Sequence, residues 1–114
     1  MPRDYRVSLE DMVGSLARIR TLTSGMSYNE FVEDLTRQEA VFRNLEIIGV
    51  ASKSVPHEVR SSYPEVDWAR IGGLRDVLIH HYFGIDEDAV WSVIEKDIPE
   101  LKFNIEAILK SLEE

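Results

Sequence analysis

The chain has 114 residues, of which 44% are hydrophobic and 30% are charged, and it contains no cysteine. This length is typical of one small domain, the composition supports a packed core, and the lack of cysteine excludes a disulfide-stapled scaffold. The formal net charge is −8, and residues 85–114 carry nine of the 21 acidic groups. Because such a protein cannot bind nucleic acid through its overall charge, any contact with RNA needs a local group of arginines. We expect a soluble, cytoplasmic protein, since no apolar run approaches the roughly 20 residues that cross a bilayer.

The first half of the chain has the periodicity of two helical stretches. The first predicted helix runs over about residues 4–22, and Ser27 with Glu30 forms a capping box that opens the second stretch. This second stretch is long or slightly broken near Thr36, and it ends near Ser54. The inner face of the first helix is formed by apolar residues at steps of three and four, namely Tyr5, Leu9, Met12, Leu16 and Ile19.

The second half of the chain continues this helical pattern. The range Pro56–Pro64 predicts a short helix, and a third main helix begins at Trp68 and ends around residues 82–84. Asp86 caps a further segment whose apolar register persists across Pro99, which either kinks that helix or starts a new one. No stretch alternates like a strand. We therefore predict an all-α antiparallel four-helix bundle with a short extra helix, forming a single domain over residues 1–114.

The common catalytic and metal-binding motifs are missing from the sequence: there is no glycine-rich phosphate loop, no His-Glu-x-x-His, no cysteine pair and no nucleophile elbow. The acidic run Asp86–Asp88 could be imagined as a metal site, but three acids at a helix start more simply cap it. His57 and Glu58 are interpreted as an exposed polar pair. We therefore predict no metal site and no cofactor.

The segment Gly72–Tyr82 combines residues that could carry chemistry. At about 100° per residue, Arg75, His80 and Tyr82 border one face that points away from the core. Asp76 lies one turn before His80, where it could hydrogen-bond the imidazole. The opposite stripe faces the core and consists of Leu74, Val77, Leu78 and His81.

Two features suggest that the outward face of this segment is covered by a partner. Gly72 and Gly73 each cost a helix roughly 1 kcal/mol relative to alanine, a cost that makes sense where another backbone approaches closely. Ile79 also lies on this face, and apolar residues on both sides of a helix are usually covered twice. Alternatively, the glycines merely join two short helices and Arg75 is a salt-bridging surface residue.

The spacing Arg75-x4-His80-x-Tyr82 resembles the Arg-x4-His-x-Tyr signature of HepT-like toxins, in the HEPN superfamily of all-α ribonucleases. The resemblance runs from about Tyr5 to about Leu109. Three other stretches are also similar to that family: Asp34-Leu35-Thr36-Arg37-Gln38-Glu39-Ala40-Val41, Arg43-Asn44-Leu45-Glu46-Ile47-Ile48-Gly49 and Tyr82-Phe83-Gly84-Ile85-Asp86.

The resemblance implies a role for each motif residue. Arg75 and His80 correspond to the catalytic pair, and Asp76 to the polar residue that commonly follows the arginine. Tyr82 corresponds to the tyrosine that a partner nucleotidyltransferase of the MntA type modifies by adenylylation. His81 departs from the small or polar residue expected there; its helical angle points to the core, which favours His80 as the catalytic histidine, although His81 could replace it in a distorted helix.

These inferences predict a metal-independent endoribonuclease toxin that acts on RNA as a homodimer or higher oligomer and is neutralised by an MntA-type antitoxin. The alternative function is a non-catalytic helical dimer that binds a nucleotidyltransferase or a nucleotide, with Arg75 contacting phosphate. A purely structural dimerisation module is a third possibility. Cleavage of RNA by the pure protein, compared with the His80→Ala variant, separates the enzyme from the other two.

Overall fold

A computed structural model describes residues 4–74, 76–78 and 87–113 of the chain. Within these residues the protein is all-α and contains no strand, which confirms the predicted fold class. No helix in this part of the chain combines the length and apolar character needed to cross a bilayer. The elements are α1 (Tyr5–Thr23), α2 (Tyr28–Glu33), α3 (Leu35–Lys53), α4 (His57–Ser62), α5 (Trp68–Gly72), α6 (Glu87–Ser92), a π-helical turn (Val93–Asp97) and α7 (Ile98–Leu112).

Helix α1 supplies the central strip of the core. It begins where the Asp4 side chain accepts a hydrogen bond of 2.9 Å from the backbone N–H of Arg6. It packs against both α3 and α7, and the side chain of Arg6 reaches the backbone oxygen of Leu112 at the end of α7. The predicted inner face is correct for four residues that are fully buried: Leu9, Met12, Leu16 and Ile19.

The second predicted stretch is broken, and the break lies at Asp34. This residue leaves the helical conformation with φ −104° and ψ 86°, and its carboxylate caps α3 by accepting from the N–H of Arg37. The buried Gln38 amide donates to the carbonyl oxygens of Phe31 and Val32 at 2.6 and 2.8 Å. Because these carbonyls lie at the end of α2, the glutamine compensates for the helical hydrogen bonds lost at the break.

The third main helix differs from the prediction, since it is interrupted at Gly73. The N–H of Gly73 approaches the carbonyl oxygens of both Ala69 and Arg70 at 3.1 Å, which tightens the last turn of α5 and ends it. Helical structure resumes at Leu74 and over residues 76–78. Gly72 and Gly73 therefore join two helical pieces, which agrees with the alternative interpretation of this glycine pair.

Pro99 accounts for the π-helical turn before α7. Proline has no N–H, and its ring collides with the carbonyl of the residue four positions earlier, here Glu95. A wider turn avoids the collision, and the N–H of Ile98 donates to the oxygen of Val93, five residues back. Both alternatives for Pro99 are thus partly realised: a new helix begins here, and the distortion lies just before it.

Helix α2 starts with the predicted capping box. The hydroxyl of Ser27 accepts from the N–H of Glu30 at 3.2 Å, and the carboxylate of Glu30 accepts from the N–H of Ser27 at 3.0 Å. The hydrogen bond that the Glu30 carboxylate accepts from the backbone N–H of Ser27 and, second, its interaction with the Ser27 hydroxyl lower the pKa of Glu30 below its ordinary value.

The capping box predicts that part of the free energy of unfolding is lost at acidic pH. A carboxyl group whose pKa is lowered on folding stabilises the fold above its unfolded pKa and loses this contribution as the pH falls through the folded value. Glu30→Gln keeps a hydrogen-bonding side chain but cannot titrate. We expect its free energy of unfolding, from urea titrations, to fall less steeply than that of the wild type below about pH 4.3. Glu33→Gln, at an exposed position of the same helix, is the control; identical slopes for wild type and Glu30→Gln would contradict the prediction.

Candidate functional site

The predicted motif begins directly after α5, and one of its four site residues is described. Asp76 lies in the helical residues 76–78, whereas Arg75, His80 and Tyr82 lie outside the described residues. The alternative histidine, His81, also lies outside them. The roles of these residues stay predictions, and the structure contributes the elements that flank them.

Asp76 occupies the outward side of its helical piece. Its side chain is exposed, and its backbone N–H donates to the oxygen of Gly73 at 3.0 Å. Leu74 and Leu78 are buried in the core, and Val77 packs against it. The described part of the motif segment therefore has the predicted division into a core-facing stripe and an outward face that carries a carboxylate.

Gly72 borders open space. A Cβ atom built on this residue meets no heavy atom of the described residues within 4 Å, while one on Gly73 meets the carbonyl oxygens of Ala69 and Arg70 at an ordinary 3.5 Å. Neither glycine has a positive φ. Backbone conformation and packing among the described residues thus do not require glycine at position 72.

The flank before the motif, α5, is fixed to its surroundings although it has only five residues. Its start is capped by the Asp67 side chain, which accepts from the N–H of Arg70 at 3.0 Å. The indole N–H of Trp68 donates to the oxygen of Tyr63 at 3.1 Å, and Ile71 is buried. Helix α5 packs against α3, where a Cβ atom built on Gly49 would lie at an ordinary contact distance of 3.8 Å from the oxygen of Ile71.

The flank after the motif, α6, is attached to α2 by aromatic contacts. The ring of Trp91 lies 5.3 Å from that of Phe31, which is fully buried, and 6.2 Å from that of Tyr28 in an edge-to-face arrangement. Such pairs add to the stability that burial provides. In sequence, the motif segment therefore lies between two anchored elements.

Helix α5 also borders a groove of about 530 Å³, whose other side is formed by the π-helical turn and the start of α7. Two nitrogens of Arg70, Nε and Nη2, lie 2.8 and 2.7 Å from Oδ2 of Asp97. Sequence reasoning missed this ion pair, since the two residues are 27 positions apart and belong to different predicted helices. The sequence signal near this contact was Pro99, which causes the π-helical turn that ends at Asp97.

The groove does not form a basic surface. Its lining contains two cationic side chains, Arg70 and Lys96, and four acidic ones: Glu65, Asp67, Asp97 and Glu100. Since Arg70 is already paired with Asp97, the described flank offers little attraction for phosphate. Among the residues that the structure describes, no three His, Asp or Glu side chains gather as metal ligands would. His57 and Glu58 are both exposed, as expected for a polar pair, and Nε2 of His57 lies 3.4 Å from the Ser61 hydroxyl.

Comparison with known proteins identifies the family. The sequence profile described as "Ribonuclease HepT-like" matches residues 12–108, which include the whole motif segment. The chain belongs to the HepT-like ribonuclease family. This finding confirms the family inferred from the Arg-x4-His-x-Tyr spacing, and the all-α architecture agrees with it.

Several relatives are similar to nearly the whole chain. "Putative RNase MJ0125" of Methanocaldococcus jannaschii is 40% identical over 112 residues, covering 98% of this chain and 97% of that protein. "Probable ribonuclease HepT" of Thermococcus cleftensis is 38% identical, with coverage of 96% and 100%. "Putative RNase TTE0752" of Caldanaerobacter subterraneus is 39% identical, with coverage of 96% and 95%. No solved structure gives a significant match.

Proposed function

We propose that this HepT-like protein is a metal-independent endoribonuclease and the toxin of a toxin–antitoxin pair. The observation that carries the proposal is the family match over residues 12–108, inside which the Arg75-x4-His80-x-Tyr82 spacing is complete. The names of the relatives, which describe them as ribonucleases, support the same activity. Cellular RNA is the proposed substrate, and the cytoplasm is the proposed place of action.

RNA can be cleaved at this motif without a metal because its own 2′-hydroxyl is the nucleophile. His80 accepts the proton of that hydroxyl or donates one to the leaving oxygen, since an imidazole titrates near neutral pH. Arg75 pairs with two oxygens of the scissile phosphate and stabilises the charge of the phosphorane. The carboxylate of Asp76, exposed one turn before His80, orients the imidazole.

A dimer completes this chemistry. One catalytic histidine per chain cannot easily serve as base and acid in the same turnover, whereas a two-fold axis brings two Arg75–His80 pairs to one cleft. The open space at Gly72 supports a partner approaching on this side of α5. Four cationic or titratable groups in one cleft also provide local positive charge on a protein whose net charge is −8.

Tyr82 is the proposed site of control by an MntA-type nucleotidyltransferase. In adenylylation the phenol oxygen attacks the α-phosphate of ATP, losing its proton and releasing pyrophosphate; the resulting phosphodiester adds one negative charge and a bulky nucleoside beside the proposed catalytic pair. Arg75 can then pair with the new phosphate instead of the substrate. The bulky nucleoside then blocks the substrate sterically, and the added negative charge repels the substrate phosphate.

Removal of the proposed base tests the ribonuclease activity. With chelator present, we expect the wild type to cleave RNA and His80→Ala to do so roughly 10²- to 10⁴-fold more slowly, the usual contribution of a positioned acid or base. Asp76→Asn should lose less, because it alters only the orientation and proton affinity of the imidazole. His57→Ala, at an exposed histidine of α4, is the control and should match the wild type. Activity that vanishes in chelator and returns with magnesium would contradict the mechanism.

Substitutions at Gly72 test the dimer. Gly72→Ala should leave folding of the protomer intact, because its Cβ meets no heavy atom of the described residues and alanine favours the helix. Gly72→Leu should weaken association by about 1 to 3 kcal/mol, the usual effect of overpacking a contact, without a similar loss of protomer stability. Sedimentation at micromolar concentrations measures the self-association of both variants. A wild-type mass that stays near 13.1 kDa would remove the composite cleft.

The modification of Tyr82 is tested by co-expression with the nucleotidyltransferase encoded beside the protein. Mass spectrometry should find AMP on the wild type and none on Tyr82→Phe, and the modified protein should no longer cleave RNA. Tyr63→Phe, which removes a phenol far from the motif in sequence, is the matched control and should be modified normally. Equal modification of wild type and Tyr82→Phe would exclude this tyrosine as the switch.

A further inference from the structure

We propose that Arg70 and Asp97 are a positioning pair for the catalytic segment: their ion pair holds the element that leads into the motif against the element that follows it. The inference rests on the proposed ribonuclease function and adds two residues that touch neither substrate nor reacting atoms. Arg70 lies in α5, five residues before Arg75, and Asp97 ends the π-helical turn.

The geometry of the pair favours a role in orientation. Both Nε and Nη2 of Arg70 converge on the same oxygen of Asp97, at 2.8 and 2.7 Å. The Nε–H of Arg70 donates a charge-assisted hydrogen bond to this oxygen, and the ion-pair contact of Nη2 beside it restricts how the planar guanidinium can turn relative to the carboxylate. Since the backbone passes from the end of α5 through Gly73 directly into Leu74, a rotation of α5 shifts the start of the catalytic segment.

The π-helical turn determines where the carboxylate of Asp97 stands. Pro99 excludes a regular α-helical hydrogen bond to Glu95, and the turn closes instead from Ile98 to Val93. A π-helical turn contains one more residue than an α-helical one, so it changes the direction of the following side chains relative to α6 by about 100°. The proline therefore sets the direction in which Asp97 meets Arg70.

Stability alone does not explain the pair. The side chains of Arg70 and Asp97 are 57% and 31% exposed, and ion pairs with such exposure contribute little to folding. The cap at Asp67, the indole hydrogen bond of Trp68 and the buried Ile71 already attach α5 to the fold. Those contacts hold α5 in place, and the ion pair adds a direct link from α5 to the far side of the motif.

A double-mutant cycle tests the proposal. We expect Arg70→Gln and Asp97→Asn each to lower kcat for RNA cleavage roughly 10- to 100-fold, the effect of a small misplacement of catalytic groups, with KM changed less than about twofold. The double variant should lose no more than either single variant, because both remove the same contact. All rates are measured well below each variant's Tm, so that partial unfolding does not contribute.

The matched control is the ion pair between Lys102 and Glu106 of α7, whose 2.8 Å contact stays within one helix. Lys102→Gln and Glu106→Gln should keep the wild-type kcat. Single variants at Arg70 and Asp97 with wild-type kcat, additive losses in the double variant, or an equal loss in the control pair would each overturn the positioning role while leaving the ribonuclease proposal intact. A wild type that does not cleave RNA would refute the proposed function itself, and the positioning role with it.

Discussion

The architecture depends on the burial of one face of α1 between α3 and α7. Leu9, Met12, Leu16 and Ile19 of this face are fully buried, and large-to-small substitutions at such sites typically cost about 2 to 5 kcal/mol. Helix α3 then provides the surface on which α5 packs, and α7 directly follows the π-helical turn. The elements on both sides of the motif thus rest on helices that α1 holds together. The fold thus supplies a frame for the segment that carries the proposed catalytic residues.

Much of the frame could be predicted from sequence because its signals are local. The stripe of α1, the Ser27–Glu30 box and the distortion at Pro99 each follow from side-chain periodicity or from a missing N–H. Two buried serines of α1, Ser8 and Ser15, could not be predicted, since a small polar residue gives no periodic signal of its own burial. The family, too, was inferred correctly from a three-residue spacing, because that spacing came with similarity along nearly the whole chain.

The residue types of the candidate site could be predicted from sequence, but the contacts between the elements that flank it could not. Asp76 was expected on the outward face, and it is exposed beside the buried Leu74 and Leu78. The ion pair of Arg70 with Asp97 was not foreseen, because contacts between distant positions depend on how helices pack and rotate. The interruption at Gly73 was open to two interpretations, since a glycine pair can end a helix or allow a close approach.

The central claim is that the RNA's own 2′-hydroxyl attacks the scissile phosphate, with no external water or metal in the bond-breaking step. The most direct measurement is the chemistry of the new ends on an oligonucleotide cleaved by the purified protein, with and without a single 2′-deoxy nucleotide at the cleaved position. The account predicts a 2′,3′-cyclic phosphate next to a 5′-hydroxyl end, and no cleavage of the deoxy substrate at that position. A 3′-hydroxyl end next to a 5′-phosphate, or cleavage of both substrates, would contradict it.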